Sequence, residues 1–385
     1  MKTNTYGSHN LFKEDIAIVN KVLKSNFLTQ GPYVKNFENK FSKTVNCNYS
    51  IAVNSGTSAL HLACLALNLN KKDIFWTTPI SFVASANCGL MTGAKVDFID
   101  INLDTGNISI EELKKKLKLA KKNKKLPKLI IVVHFAGNSP DMKEIFKLSK
   151  LYNFKIIEDG CHSLGGKINN SLIGSCKYSH ITTFSFHPVK NITSAEGGMI
   201  CTNNKRINNE LKLLRTHGIL KFTSNKKFRN KIKNGWYYQQ ILLGYNYRMS
   251  DIHAALGLSQ LNKLKYFVKK RNMLSEIYRR NLNFDKFEPL KIDNNNYSGM
   301  HIFVVKINIK NISRYKLINF LNKKNIGTQI HYSPIHLQPY YKNIGFKKGD
   351  FKNAEKFSKN IITLPLHTLL TKKDILFIVK NLNSL

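Results

Sequence analysis

The chain has 385 residues, and 61 lysines and arginines against 23 aspartates and glutamates give it a formal net charge of +38. Hydrophobic residues make up 42% of the chain and aromatic residues 11%, which is too apolar for a chain that stays unfolded. The composition therefore predicts a globular protein, long enough for one large domain and one smaller domain.

The sequence also excludes several classes of protein. Its apolar stretches are far shorter than the roughly 20 residues that span a bilayer, so we expect no membrane helix. The N-terminal residues have no apolar core of a secretory signal, which predicts a cytoplasmic protein. The six cysteines are widely separated and show no Cys-x-x-Cys spacing. The sequence therefore indicates neither a disulfide framework nor a metal site.

The positive charge raises the alternative of a nucleic-acid-binding protein, because a basic surface attracts phosphates whatever the base sequence. Lysine, asparagine and isoleucine are, however, abundant together along the whole chain, as A/T-rich coding would produce. The densest basic run, residues 114–128, lies in a helix and loop before an apolar strand. A solvated surface is the simpler interpretation. We expect no nucleic acid partner, although the charge can attract anionic small molecules.

The first two thirds of the chain alternate between helices and short apolar strands. Residues 12–25 have a helical pattern that ends in a break over residues 26–32. The strands predicted after this break are residues 50–53, 73–77, 95–99, 129–134, 155–158, 181–186 and 196–201, with helices at residues 57–67 and 142–152. The last of these strands can run antiparallel. Such alternation predicts a parallel sheet that is covered by helices on both faces.

The pattern changes after a long helix that Ser250 can cap. This helix is predicted to begin near Asp251 and to run through Leu264. Beyond it, residues 301–307 are strand-like, and residues 313–324 and 374–381 are helical. We predict a large N-terminal domain over residues 1–264 and a smaller α/β domain over residues 265–385.

A glycine and several hydroxyl groups follow the strand at residues 50–53. Gly56 permits close approach of the backbone. The N–H groups at the helix start, together with the hydroxyl groups of Thr57 and Ser58, can hold a phosphate. Taken alone, this segment is explained at least as well by ordinary helix capping.

Two charged residues follow other strands of the predicted sheet. Asp159 comes directly after an apolar strand, where a carboxylate needs a cation or several donors to offset its desolvation. Lys190 lies in a turn after apolar strand residues, where a lysine can have a lowered pKa and act as an amine nucleophile. Each residue also has a purely structural interpretation. Asp159 could be satisfied by neighbouring backbone amides, and Lys190 could be a solvated surface lysine. Together with a phosphate site, the two residues match the needs of pyridoxal 5'-phosphate (PLP).

Six motifs occur along the chain at residues 54–60, 78–84, 158–165, 184–190, 196–198 and 244–248. In these motifs and their order the sequence resembles the DegT-type sugar aminotransferases, from Leu28 to His367. The resemblance implies the α/β fold of type I PLP enzymes, which is the aspartate aminotransferase-like fold. That fold has a large domain with a mostly parallel seven-stranded sheet and a smaller C-terminal α/β domain.

The resemblance also implies the roles of particular residues around the cofactor. Lys190 would join the cofactor aldehyde as a Schiff base and then move a proton between substrate and cofactor. Asp159 would keep the pyridine nitrogen protonated. Phe82 would stack on the ring, with His162 beside the ring or its hydroxyl group. Phe82 could instead be an ordinary core residue, and His162 could cap a turn.

Phosphate and substrate contacts follow from the same resemblance. The phosphate-binding residues implied are Gly56, Thr57, Ser58 and Ser185, together with Asn246 from the second subunit of a homodimer with a shared active site. The residues implied for the substrate are Tyr6, Asn26, Phe27, Leu28, Thr29, His331, Tyr332, Ser333 and Pro334. Aromatic residues in such loops are also common packing groups.

Three segments narrow the choice among possible substrates. Residues 77–84, 185–187 and 215–218 are similar to the corresponding segments of aminotransferases of pseudaminic acid synthesis. The partners implied are an amino-acid donor, expected to be L-glutamate, and UDP-4-keto-6-deoxy-N-acetyl-β-L-altrosamine, which receives the amino group at C4. Transfer to a C3 ketone or to a D-configured C4 ketone stays open. Arg215 and Arg248 are candidates for the donor carboxylate. Because Lys190 is present where some relatives have histidine, transamination is favoured over dehydration.

Overall fold

The structure is a computed structural model that describes residues 4–221, 237–309 and 312–385. Its helices are α1 (Lys13–Leu23), α2 (Pro32–Val45), α3 (Gly56–Ala66), α4 (Ala84–Leu90), α5 (Ile110–Lys122), α6 (Met142–Tyr152), α7 (Lys205–Arg215), α8 (Asp251–Asn262), α9 (Leu264–Asn281), α10 (Arg314–Lys323), α11 (Pro339–Asn343), α12 (Lys352–Lys359) and α13 (Lys372–Asn383). Its strands are β1 (Tyr49–Val53), β2 (Ile74–Thr77), β3 (Lys95–Phe98), β4 (Leu129–Val133), β5 (Lys155–Asp159), β6 (Lys167–Ile168), β7 (Ser171–Leu172), β8 (Ile181–Ser185), β9 (Gly198–Thr202), β10 (Ile219–Lys221), β11 (Tyr238–Gln240), β12 (Phe287–Pro289), β13 (Asn296–Tyr297), β14 (Phe303–Ile307) and β15 (Ile361–Leu364). None of the helices in these ranges is long and apolar enough to cross a membrane.

Seven strands form the main sheet, in the order β1-β9-β8-β5-β4-β2-β3. Strand β9 runs antiparallel to both of its neighbours, and the other pairs are parallel. All five residues of β4 are buried, with Ile131 in the hydrophobic core on one face and Ile130 and Val132 in the core on the other. The predicted α/β fold with a mostly parallel seven-stranded sheet is confirmed.

Strand register brings three chain segments together at one edge of the sheet. Strand β9 is antiparallel to both β1 and β8. Strands β1 and β8 therefore run in the same direction, and their carboxyl ends lie at the same edge of the sheet. Val53 and Ser185 are both paired with Gly198, and Asp159 is paired with Thr183 two residues before Ser185. The turns that follow these strands are therefore neighbours in space.

Helix α2 is not predicted from the sequence, because Pro32 was interpreted as part of a break. The proline occupies the first turn of the helix, where its missing N–H group costs nothing. Phe37, Phe41 and Val45 recur at helical spacing and are buried. In contrast, the apolar face predicted for α1 is only partly covered in the single chain, because Val22 is buried but Ile16 and Leu23 are 56% and 54% exposed.

The C-terminal region contains a three-stranded antiparallel sheet in the order β12-β14-β15. Strands β12 and β15 are not predicted from the sequence. The predicted long helix from Asp251 is interrupted, because α8 ends at Asn262 and α9 begins at Leu264. Ser250 caps α8 as expected, its side chain accepting the N–H of His253.

The carboxylate of Asp251 joins the start of α8 to the start of α2. Its Oδ2 accepts the N–H of Gly31 at 2.7 Å, and its Oδ1 accepts that of Tyr33 at 2.8 Å. The first N–H groups of a helix have no acceptor inside that helix. Asp251, at the start of α8, provides the acceptor for two N–H groups at the start of α2. The N–H of Asp251 also donates to the carbonyl oxygen of Leu28 at 3.0 Å. This completely buried carboxylate therefore positions the chain that leads into α2.

We expect Asp251→Ala to lower the free energy of unfolding by about 2–4 kcal/mol, because two N–H groups lose their acceptor inside the protein. Asp141→Ala is the matched control, since this exposed aspartate caps α6 through one hydrogen bond to the N–H of Glu144. It should cost about 1 kcal/mol. Denaturant unfolding measures both, and equal losses would show that the Asp251 contacts are unimportant.

Candidate active site

A cavity of about 340 Å³ lies at the edge of the main sheet where β1, β5 and β8 end. Lys190 and Asp159 both line it. The other residues predicted for the cofactor that line this cavity are Gly56, Thr57, Phe82, His162 and Ser185. Of the residues predicted for the substrate, Tyr6, His331 and Tyr332 line it. The two charged groups on which the predicted chemistry depends thus share one cavity.

The start of α3 forms one wall of this cavity. Ser55 caps the helix, its Oγ accepting the N–H of Ser58 at 3.0 Å. In the described part of the chain, the N–H groups of Gly56 and Thr57 remain for an external anion. A Cβ atom at Gly56 would lie 2.7 Å from the Cβ of Ser185. The absence of a side chain at Gly56 therefore allows α3 to approach the end of β8.

The turn that carries Lys190 is held by hydrogen bonds on both sides. The N–H of Lys190 donates to the carbonyl oxygen of His187 at 2.9 Å. The side-chain amide of Asn191 donates to the carbonyl oxygens of Leu164 at 2.8 Å and Gly299 at 2.7 Å. Burial lowers the pKa of the Lys190 amine, and the carboxylate of Asp159 opposes part of this shift. A larger fraction of neutral amine, the nucleophilic form, is therefore present than for a surface lysine.

Asp159 is the last residue of β5, and it is 5% exposed. Its Oδ2 accepts the hydroxyl group of Ser85 at 2.7 Å, and its Oδ1 accepts the N–H of Cys161 at 3.2 Å. The Ser85 hydroxyl in turn lies 2.7 Å from that of Ser81. These donors satisfy part of the hydrogen-bonding capacity of a buried carboxylate, which makes its charged form less costly.

Three histidines surround the amine of Lys190, and burial lowers the pKa of each. His162 and His301 have ring centroids 4.5 Å apart, and the pKa of each is well below its ordinary value. The pKa of His331 falls to about 4. The hydroxyl group of Tyr332 lies 3.2 Å from Nε2 of His162. At neutral pH these rings are uncharged, so they add no repulsion to a positive charge on Lys190.

Several predicted residues lie elsewhere in the single chain. The hydroxyl group of Ser58 faces Ser55 at 2.9 Å. Asn246 lies in an exposed segment that bridges to Thr216. Among the described residues, those predicted for this site that do not line the cavity are Ser58, Asn246, Asn26, Phe27, Leu28, Thr29, Ser333 and Pro334.

The two arginine candidates for a donor carboxylate line a separate cavity of about 430 Å³. Arg215 is already engaged there, because its Nη1 lies 2.5 Å from a carboxylate oxygen of Glu38 and 2.8 Å from the carbonyl oxygen of Ala52. The same oxygen of Glu38 accepts the N–H of Ala52 at 2.9 Å. Arg215 and Glu38 thus cover the free edge of β1, a structural role that the sequence did not reveal.

Some cavity residues were not predicted from the sequence. Those with polar or reactive side chains are Ser55, Ser81, Ser85, Cys161, His187, Glu196 and His301. Five of them lie within the motifs of the sequence, so their position beside predicted residues was an available signal; these are Ser55, Ser81, Cys161, His187 and Glu196. His301 lies more than 100 residues further along the chain from Lys190, and its approach to His162 depends on how the C-terminal region folds back.

Comparison with known proteins places this site in a family. The sequence profile of the DegT/DnrJ/EryC1/StrS aminotransferase family matches residues 10–383. The chain belongs to this family. The aminotransferase is 38% identical to the UDP-4-amino-4,6-dideoxy-N-acetyl-beta-L-altrosamine transaminase of Campylobacter jejuni, with 99% of this chain and 97% of that protein covered.

Solved structures agree with the sequence comparison. Helicobacter pylori PseC, an aminotransferase involved in the biosynthesis of pseudoaminic acid, matches the aminotransferase with a TM-score of 0.89 at 32% identity. That match covers 100% of this chain and 99% of PseC. The PLP-form of Spr1654 from Streptococcus pneumoniae matches with a TM-score of 0.87 at 26% identity, covering 100% and 98% of the two chains.

The aminotransferase depends on PLP, as the resemblance implied. The donor set of the cavity fits this group chemically. An amine with a lowered pKa, a buried carboxylate and two backbone N–H groups at a helix start all face one space. These are the groups that an aldehyde, a ring nitrogen and a phosphate require.

Proposed function

We propose that this PLP-dependent sugar aminotransferase moves the amino group of an amino acid, L-glutamate being the expected donor, to the C4 ketone of UDP-4-keto-6-deoxy-N-acetyl-β-L-altrosamine. The reaction would serve the synthesis of a pseudaminic-acid-type sugar in the cytoplasm. The observation that carries the proposal is the shared cavity of Lys190 and Asp159 in a chain 38% identical to the Campylobacter jejuni transaminase along nearly its whole length.

Lys190 is the proposed catalytic residue. Bound PLP supplies an aldehyde that condenses with amines and a ring that withdraws electrons from the reacting carbon. With the cofactor bound, the Nζ of Lys190 would hold its aldehyde covalently until a donor amine takes that place. The freed Nζ would then be the base and acid that carries a proton between the reacting carbon of the substrate and the aldehyde carbon of the cofactor. Its lowered pKa favours both tasks, because each begins with a neutral amine.

The remaining proposed contacts orient the cofactor. The carboxylate of Asp159 would face the ring nitrogen and keep that nitrogen protonated, and Phe82 and His162 would lie against the ring. The N–H groups of Gly56 and Thr57, together with the hydroxyl group of Ser185, bind the phosphate. In this arrangement Ser58 contributes indirectly, because it is bonded to the capping residue of α3.

The keto-sugar nucleotide is proposed to enter beside Tyr6, His331 and Tyr332. The rings of Tyr6 and His331 are 5.4 Å apart between centroids, and His331 is held by the hydroxyl group of Thr363 at 2.9 Å. This aromatic wall can pack against a sugar or a base. The remaining predicted substrate residues, at 26–29 and 333–334, would extend the binding site beyond the cavity of one chain.

We also propose a homodimer in which each subunit completes the partner's site. Asn246 is exposed and does not line the cavity of its own chain, and Phe27 and Leu28 are 55% and 47% exposed. Apolar side chains exposed to this extent, together with the exposed Ile16 and Leu23 of α1, are typical of surfaces that another protein covers.

Replacing Lys190 tests the chemistry. Purified wild-type protein should have a visible absorption band, and borohydride reduction should attach the cofactor to a peptide that contains residue 190. Lys190→Ala should be colourless and lose at least about 10³-fold in activity, because both the attachment point and the proton carrier are removed. Lys35→Ala, at an exposed lysine, should retain band and activity. Attachment of the cofactor to another lysine would refute the assignment.

A panel of nucleotide keto-sugars tests the substrate. With the L-altro C4 ketone we expect a kcat/KM at least about tenfold above that with a D-configured C4 ketone or a C3 ketone, because contacts around the reacting carbon differ in the transition state. Stereochemical analysis of the amino-sugar product provides the second measurement. If the enzyme preferred another ketone, the proposed sugar substrate would be wrong, but the proposed transaminase chemistry would still hold.

Complementation tests the shared site. Lys190→Ala and Asn246→Ala subunits, co-expressed with different affinity tags, can be purified as a hybrid dimer. If Asn246 acts in the partner's site, one of the two sites in the hybrid has both residues, and activity should reach about half that of wild type. Each variant alone should be weakly active or inactive. A hybrid no more active than the Asn246→Ala homodimer would place Asn246 outside the partner's site.

A further inference from the structure

A chain of buried hydroxyl groups ends on the carboxylate of Asp159. Ser85, the second residue of α4, donates its hydroxyl proton to Oδ2 of Asp159 at 2.7 Å. The hydroxyl groups of Ser81 and Ser85 are 2.7 Å apart. Ser81 is 4% exposed and Ser85 is 1% exposed. None of these contacts is local in sequence to Asp159, because Ser81 lies in the turn before α4 and Ser85 lies in the first turn of that helix.

The direction of this chain follows from proton counting. A serine hydroxyl has one proton to donate and lone pairs that accept. Since the proton of Ser85 is directed to Asp159, Ser85 must be the acceptor in its contact with Ser81. The donors therefore run in one direction, from Ser81 to Ser85 to Asp159. In such a chain each hydrogen bond polarises the next and strengthens it.

The chain also determines how the carboxylate is rotated. Oδ2 is held by Ser85, and Oδ1 receives the N–H of Cys161 at a longer distance of 3.2 Å. Together these two contacts hold the plane of the carboxylate. Ser85 cannot donate to a ligand at the same time, because its single proton is already engaged. The proton that Ser85 donates therefore acts on a ligand in the cavity only through Asp159.

We propose that Ser85 and Ser81 are positioning residues, which fix the rotation of the Asp159 carboxylate toward the PLP ring nitrogen. This inference rests on the proposed function, because it requires Asp159 to face that nitrogen. It adds two residues from a different chain segment to the machinery that controls ring protonation. The strength with which Asp159 holds the ring then depends on the turn before α4 as well as on β5.

The test compares Ser85→Ala with wild type in two measurements. The first is the Kd for PLP, from titration of the apoenzyme, and the second is the pH titration of the visible band of the holoenzyme. We expect the Kd to rise about tenfold, the usual value of one hydrogen bond to a charged group, and the titration midpoint to move. Ser81→Ala should act in the same direction but more weakly, by about threefold.

A matched control separates this effect from general damage to the region. Ser163 is completely buried and lies near the same cavity, but its hydroxyl group donates to the carbonyl oxygen of Gly160 at 3.2 Å. Ser163→Ala should leave the Kd and the titration midpoint unchanged. Thermal unfolding of each apoenzyme reports any loss of stability, which would not by itself move the spectral titration.

A double-mutant cycle with Asp159→Asn decides whether Ser85 acts through Asp159. We expect Ser85→Ala to change the Kd by less than about twofold once the carboxylate is absent. An equal effect of Ser85→Ala in both backgrounds, or no effect in wild type, would overturn the positioning role alone. If Asp159→Asn itself leaves the Kd and the titration unchanged, the proposed role of Asp159 fails as well, and the two failures are thereby distinguished.

Discussion

The proposed chemistry of this aminotransferase depends on an amine and a carboxylate that face one largely buried cavity. Burial makes the charged form of each group costly, but the consequence differs between the two residues. At Lys190 it lowers the pKa of the amine, so that a nucleophile is available. At Asp159 the cost is offset by hydrogen bonds donated by Ser85 and Cys161.

The fold brings these groups together through the topology of its main sheet. Parallel strands have their carboxyl ends at one edge, which is where ligands bind in such sheets. Asp159 ends β5, and Lys190 follows β8, its neighbour in the sheet. Contacts away from the cavity then hold the surrounding chain, as Asn191 does for the lysine turn and Asp251 for the start of α2.

Much of this arrangement could be predicted because strand ends are visible in sequence. An apolar run followed by a polar turn identified Asp159 and Lys190, and Gly56 marked the start of α3. Other groups have ambiguous local signals. Ser55 and Ser58 are both hydroxyl residues at one helix start, and coordinates were needed to show that Ser55 and not Ser58 faces the cavity. Arg215 was plausible as a carboxylate ligand until the structure showed its pairing with Glu38.

The sequence by itself determined the seven strands of the main sheet, the class of that sheet, and the candidate amine and acid, because periodicity and short motifs are local properties of a chain. The tertiary structure alone decided which distant groups meet. The approach of His301 to His162, the hydroxyl chain from Ser81 to Asp159, and the engagement of Arg215 all join residues far apart in sequence. Such contacts depend on the packing of whole elements, which no local pattern encodes.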